Sequence, residues 1–127
     1  MLSSEKLMAF VSTTKADEAR AFFRDKLGLR LLSEDGFALQ FDANGTLLRV
    51  ALAKTVNPAP FTVLGWDVKD LHATVTELKQ AGVVFETFNF LKQDPLGIWT
   101  APGGDQVAWF KDPDGNLLSV SHFAKNA

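Results

Sequence analysis

The side chains able to do chemistry in these 127 residues are few. Cysteine is absent, which excludes thiolate metal sites, cysteine nucleophiles and disulfides. Histidine occurs only at His72 and His122. His72 falls two residues after Asp70, at the start of a predicted helix, where an exposed polar role is expected. His122 is out of phase with Ser119 and Ser121 on a predicted strand, so alternation turns it to the other face. No Ser/His/Asp set, phosphate-cradling glycine motif or defensible carboxylate pair is present. What remains is Arg49, in an otherwise apolar strand, together with Asp67 and the aromatic side chains. A guanidinium among apolar groups demands an anion, because leaving it buried and unpaired costs several kcal/mol. Either Asp67, on the same predicted face, supplies that anion, or the acidic group of a ligand does; the internal pair is the first expectation. Phe occurs eleven times, Trp three times and Tyr not at all. Most Phe must fill a core, and Trp66 is expected under a helix by alternation. Trp99, on a loop with Pro95, Gly97 and Pro102, either closes a stacking pocket or pins the loop. Trp109 heads a hairpin whose register leaves both faces open.

The elements that must position these residues repeat. Phe37 to Ala53 (FALQFDANGTLLRVALA) overlays Val107 to Phe123 (VAWFKDPDGNLLSVSHF) at a shift of 70, with Ala38/Ala108, Asp42/Asp112, Gly45/Gly115, Leu47/Leu117, Leu48/Leu118 and Val50/Val120 identical. Each copy reads strand, turn, strand, with glycine supplying the positive φ of a tight turn. Upstream of each comes a strand and then a helix. In the first half the strand is Leu7 to Ser12, Thr13 or Thr14 is the expected cap, and Asp17 and Glu18 sit in the acidic first turn. Ala19, Phe22, Phe23 and Leu27 form the apolar stripe before Gly28. In the second half Phe61 to Val68 is the strand, Asp70 the cap, Leu71, Val75 and Leu78 the stripe, and Gly82 the stop. Residues 54–60 (KTVNPAP) link the halves. The helix-to-helix shift is only 54 or 55 residues, so the second half carries about 15 extra residues within Asn89 to Asp105; these form either a lid or, as the first expectation, a longer surface connection. Gly103-Gly104-Asp105 and Asp112-Pro113-Asp114-Gly115 read as turns.

Bulk properties narrow the partners. A net charge of -2 with no Lys/Arg run offers nothing to attract nucleic acid. Apolar stretches fall well short of a membrane span, and Met1 to Phe10 lacks the pattern of an export signal, so neither membrane insertion nor export is expected and the cytoplasm is the expected location. Hydrophobic residues at 46% and charged residues at 22% are ordinary for a globular chain with one real core.

Three motifs in order resemble the vicinal oxygen chelate superfamily, which includes glyoxalase I, extradiol dioxygenases, fosfomycin-resistance transferases and bleomycin-binding proteins. They are Phe22-Phe23-Arg24-Asp25-Lys26-Leu27-Gly28-Leu29, Phe110-Lys111-Asp112-Pro113-Asp114-Gly115-Asn116, and Val68-Lys69-Asp70-Leu71 through Ala81-Gly82-Val83. The resemblance implies an α+β fold of two tandem βαβββ modules (about 5–53 and 61–124 around the 54–60 linker) forming a curved, partly open eight-stranded barrel with helices outside, a single domain over 1–127. It also implies, in metal-dependent members, a divalent ion held by inward side chains of four strands. Here those positions fall on Met8, Arg49, Val63 and Ser119, which cannot make that site.

The expected function is therefore a small-molecule-binding protein of the glyoxalase/bleomycin-resistance type, with no metal or other cofactor, holding a hydrophobic or aromatic molecule, acidic as one option, in the barrel cavity. The alternative is a lyase, isomerase or dioxygenase with unusual metal ligands or none; an enzyme is the less favoured option. The expected ligand-binding residues are Met8, Phe10, Arg49, Val63, Asp67, Trp99, Trp109, Ser119, Ser121 and Phe123. Neither nucleic acid nor membrane is an expected partner, and the resemblance implies a homodimer.

Overall fold

In the computed structural model, which describes residues 1–124, the chain runs through two copies of the same strand-helix-strands plan. In the first, β1 (Met8–Thr13) leads into α1 (Ala16–Arg20), which continues as a π-helical segment (Ala21–Lys26), and then into β2 (Arg30–Glu34), β3 (Ala38–Ala43) and β4 (Thr46–Leu52). In the second, β5 (Leu64–Asp67) is followed by α2 (Leu71–Gln80), β6 (Trp99–Thr100), β7 (Gln106–Lys111) and β8 (Leu117–His122). The sheet orders β1-β4-β3-β2 and β5-β8-β7-β6 are the same topology twice, and the two sheets do not close on each other. In each, the first strand runs parallel beside the last, Met8 against Leu47 and Leu64 against Leu118.

The π-helical winding has a packing reason. It sets Phe22 and Phe23 edge to face at 5.1 Å and buries both, with the Leu27 amide reaching back to the Phe22 carbonyl. Gly28, at φ +77°, then turns the chain out of the helix. The core under the helices is one cluster, in which Phe23 meets Phe41, and Phe22 and Phe85 both approach Phe110. Trp66 joins it from β5 and lines a crevice with Thr74 and Leu78 of α2, as its alternation predicts.

Three local expectations change. Neither Thr13 nor Thr14 caps α1: Lys15 is the N-cap and its side chain makes no capping bond, while its amide donates to the Thr13 hydroxyl at 3.1 Å. Thr13 still belongs to the strand, and its hydroxyl donates to Asp114 of the second module. The second-module strand is shorter than Phe61 to Val68, spanning Leu64–Asp67 with single backbone bonds at Val63 and Val68 beyond its ends. The extra residues split one strand in two. The chain first lies beside β7 at Phe85 and Glu86, leaves, and returns as β6 to pair Trp99 with Val107. Asp70, by contrast, caps α2 as expected by accepting from the Ala73 amide at 3.0 Å.

Candidate functional site

Alternation in both sheets sorts side chains into a core face and an open face. Val11, Leu48, Val50, Leu118 and Val120 point into the core, and the residues between them point away from the helices. On the first sheet the open face carries Met8, Phe10, Leu47 and Arg49, with Phe10 beside Arg49 and Gln40 on its other side. Met8 and Phe10 are 43% and 57% exposed, large apolar groups left uncovered on the edge strand of that sheet.

Arg49 is half-buried and has neither an ion pair nor a side-chain hydrogen bond among the described residues. Arg20, Arg24 and Arg30 each meet a carboxylate, of Glu34 and Asp17, of Asp25, and of Asp42. The expected Arg49 to Asp67 pair is not formed: Asp67 stands exposed at the end of β5, on the other sheet. The carboxylate on which Arg49 acts is that of Asp35, held below its usual pKa first by bonds from the Phe37 and Ala38 amides and last by the Arg49 charge.

The second sheet's open face is aromatic. Trp99 and Trp109 come together across β6 and β7 with ring centres 6.2 Å apart, and Phe88 meets Trp109 edge to face at 5.5 Å. Phe90 extends the group from Phe88. Ser119 pairs in register with Trp109 on one side and Gly65 on the other, and Ser121 pairs with Val107 and Asp67. Phe123, 40% exposed, follows the end of β8. Between the sheets a recess of about 280 Å³ is lined by Phe10 and Ser12 of β1, Val63 before β5, Thr55 to Asn57 of the linker, and Asn116.

Phe88, Phe90, Gln40 and the linker side chains were not among the residues the sequence nominates. The closely spaced Phe85, Phe88 and Phe90 were the available signal, but the strand that would have fixed their phase is the one the insertion interrupts.

The insertion itself is tied down. The Gln93 amide donates to the Glu86 and Gly97 carbonyls and accepts from the Phe88 amide, while Asp94 accepts from the Leu96 and Ile98 amides. These bonds, all made within residues 86–98, give the insertion its own compact shape. His72 lies 3.9 Å from Asp94 on the exposed side of α2, and His122 bonds the Val68 carbonyl at 2.8 Å, so both histidines have local partners off the open face.

Residues 7–120 match the family model of the Glyoxalase/Bleomycin resistance protein/Dioxygenase superfamily. The chain belongs to this superfamily. The structure is similar to a glyoxalase/bleomycin resistance protein/dioxygenase from Alicyclobacillus acidocaldarius (21% identity, TM-score 0.73, covering 99% of this chain and 97% of that one). It is also similar to lactoylglutathione lyase from Agrobacterium tumefaciens (18%, 0.72, 97% and 96%) and to a superfamily member from Sphaerobacter thermophilus (19%, 0.73, 97% and 100%). At these identities the likeness is one of fold. No curated protein sequence matches the chain.

The residues that the resemblance assigns to the superfamily's metal positions do not have the chemistry to hold a divalent ion. Met8 offers a thioether, Val63 a hydrocarbon, Ser119 a hydroxyl, and Arg49 a positive charge that repels a cation. Among the described residues no three His, Asp or Glu side chains come together in a way that could hold one. No helix is long and apolar enough to cross a membrane.

Proposed function

We propose that this protein is a small-molecule-binding member of the superfamily that holds an aromatic, acid-bearing molecule on its open face without a metal. The observation that carries this reading is Arg49. It is the arginine without an ion pair among the described residues, half-buried on the open face between Phe10 and Gln40, where the Asp35 carboxylate acts on it only through its field and a ligand carboxylate is the direct partner. Trp99 and Trp109, with Phe88, supply flat apolar surface of the kind that stacks on a ring. Met8, Phe10 and Val63 complete an apolar floor, and Asp67, Ser121 and Phe123 border it.

A second copy of the chain is part of the proposal. Met8, Phe10, Phe61, Val63 and Phe123 are large apolar side chains left 40–63% exposed on and near the open face, and a second copy would cover them. Light scattering after size-exclusion chromatography reads this as the mass of a dimer.

The test is binding of aromatic acids and their neutral analogues, for example 2-naphthoate against 2-naphthamide, followed by tryptophan fluorescence or calorimetry. The reading predicts that the acid binds more tightly and that Arg49→Ala removes this preference. Equal affinities for acid and amide contradict the role of Arg49. Turnover of a bound compound, or a requirement for added metal, favours the lyase or dioxygenase alternative instead.

A further inference from the structure

Ser119 is a buried polar group of the open face without a match. It is 7% exposed, and its hydroxyl makes no hydrogen bond among the described residues. Among the described residues no side-chain oxygen or nitrogen is both enclosed and unsatisfied, so the Ser119 oxygen retains a path to the outside. On one side of it stands Trp109, its partner in β7, with Trp99 next in line. On the other side stands Gly65, its partner in β5, which is exposed.

The neighbouring glycine opens that path. A β-carbon at residue 65 would stand 2.8 Å from the Ser119 Oγ and 3.4 Å from its carbonyl oxygen. Any side chain there would collide with the hydroxyl and cover it. The backbone of Gly65 does not need a left-handed conformation, so the absence of a side chain, rather than a turn, is what the position uses. A hydroxyl at the floor of a notch, beside two indole rings, is placed to donate to or accept from the edge of a flat molecule lying on those rings.

Building on the binding reading above, we propose that Gly65 and Ser119 form a recognition notch selecting aromatic acids that carry a hydrogen-bonding atom, such as a ring hydroxyl or carbonyl, on the edge remote from the acid. Ser119 makes the bond, Gly65 gives access to it, and the tryptophans hold the ring. Buried polar groups discriminate more sharply than apolar ones, because a ligand lacking the matching atom leaves the hydroxyl without water or partner.

The experiment compares 2-naphthoate with its 5-, 6- and 7-hydroxy derivatives against wild type, Ser119→Ala, Gly65→Ala and the Gly65→Ala/Ser119→Ala pair, by calorimetry. In wild type, the best-placed hydroxy isomer binds about tenfold more tightly than the parent, the worth of one good hydrogen bond. In Ser119→Ala and in Gly65→Ala that advantage disappears, the ratio of hydroxy-isomer to parent affinity falling to about one. The double variant removes the collision between the two side chains and so controls for misfolding: it regains wild-type thermal stability and still shows no advantage. Equal binding of every isomer and the parent by wild type, or an advantage that survives Ser119→Ala, overturns the notch and leaves the binding reading in place. No binding of any naphthoate by folded wild type overturns both.

Discussion

Thr14 and Asp114 lie 100 residues apart in the chain and meet through two bonds, from the Thr14 amide at 2.9 Å and from its hydroxyl at 2.6 Å, to one carboxylate oxygen. The other oxygen accepts from Thr13. The last hairpin turn of the second module thus grips the end of β1 in the first. Asn116 adds a second tie from the same turn: its amide donates to the Ser12 carbonyl at 3.0 Å and to Asp112 at 2.8 Å. The edges of the two open faces are set against each other by these bonds, so the geometry of the candidate site depends on a turn outside it.

That clasp is sensitive to acid. Burial raises the pKa of Asp114, but the bonds from Thr13 and Thr14 outweigh it and hold the carboxyl below its usual range. A lowered folded-state value means the contribution is complete above the ordinary aspartate range and lost as pH falls through the folded value. Asp112 works in the opposite sense: burial holds its pKa up against the bonds from Asn116 and Asp114, so its ionisation subtracts stability as pH rises. Asp114→Asn is expected to cost about 1–3 kcal/mol at pH 7 and to flatten the acid limb of a melting-temperature profile taken from pH 2.5 to 6. An unchanged acid limb contradicts the clasp.

Phe23 is fully buried between Phe22 and Phe41, where the π-helical segment delivers it. Phe23→Ala is expected to cost about 3–5 kcal/mol in urea unfolding, as for other buried aromatic truncations. A loss below 1 kcal/mol means the segment winds differently.

Metals should do nothing. With Met8, Arg49, Val63 and Ser119 at the strand positions, addition of Zn, Ni, Mn or Fe to chelator-treated protein is expected to leave the thermal midpoint unchanged. A clear stabilisation by one ion at stoichiometric concentration contradicts the reading of those residues.

Arg49 should be dispensable for folding. Because no ion pair or side-chain hydrogen bond holds it among the described residues, Arg49→Leu is expected to keep or raise stability, by up to about 1 kcal/mol, while abolishing selectivity for acids. A large loss of stability points to a structural partner instead.

The fold was legible because its signals are local and repeated. The 70-residue hairpin repeat, the Asp70 cap and the glycines after both helices correspond to observed elements. Strand alternation put Phe10, Arg49 and Ser119 on one face of their strands, whereas the face of Trp109 stayed open until its pairing with Ser119 across β7 and β8 decided it. What could not be read depends on distance in space. Thr13 reads as a helix cap until Asp114, far along the chain, takes its hydroxyl. Arg49 and Asp67 have the correct phase to pair, but phase says nothing of the separation between two sheets. Phe88 was missed because the insertion removes the strand periodicity that would have assigned it a face.

The most direct test of the central claim is a nitrogen-15 correlation spectrum of the protein titrated with 2-naphthoate, following the three indole N–H signals and the backbone. Binding on the open face predicts that the Trp99 and Trp109 indoles and the amides around Phe10, Arg49 and Ser119 shift together, while Trp66, on the helix side of the sheet, stays in place. Shifts centred on Trp66, or none at saturating ligand, contradict it.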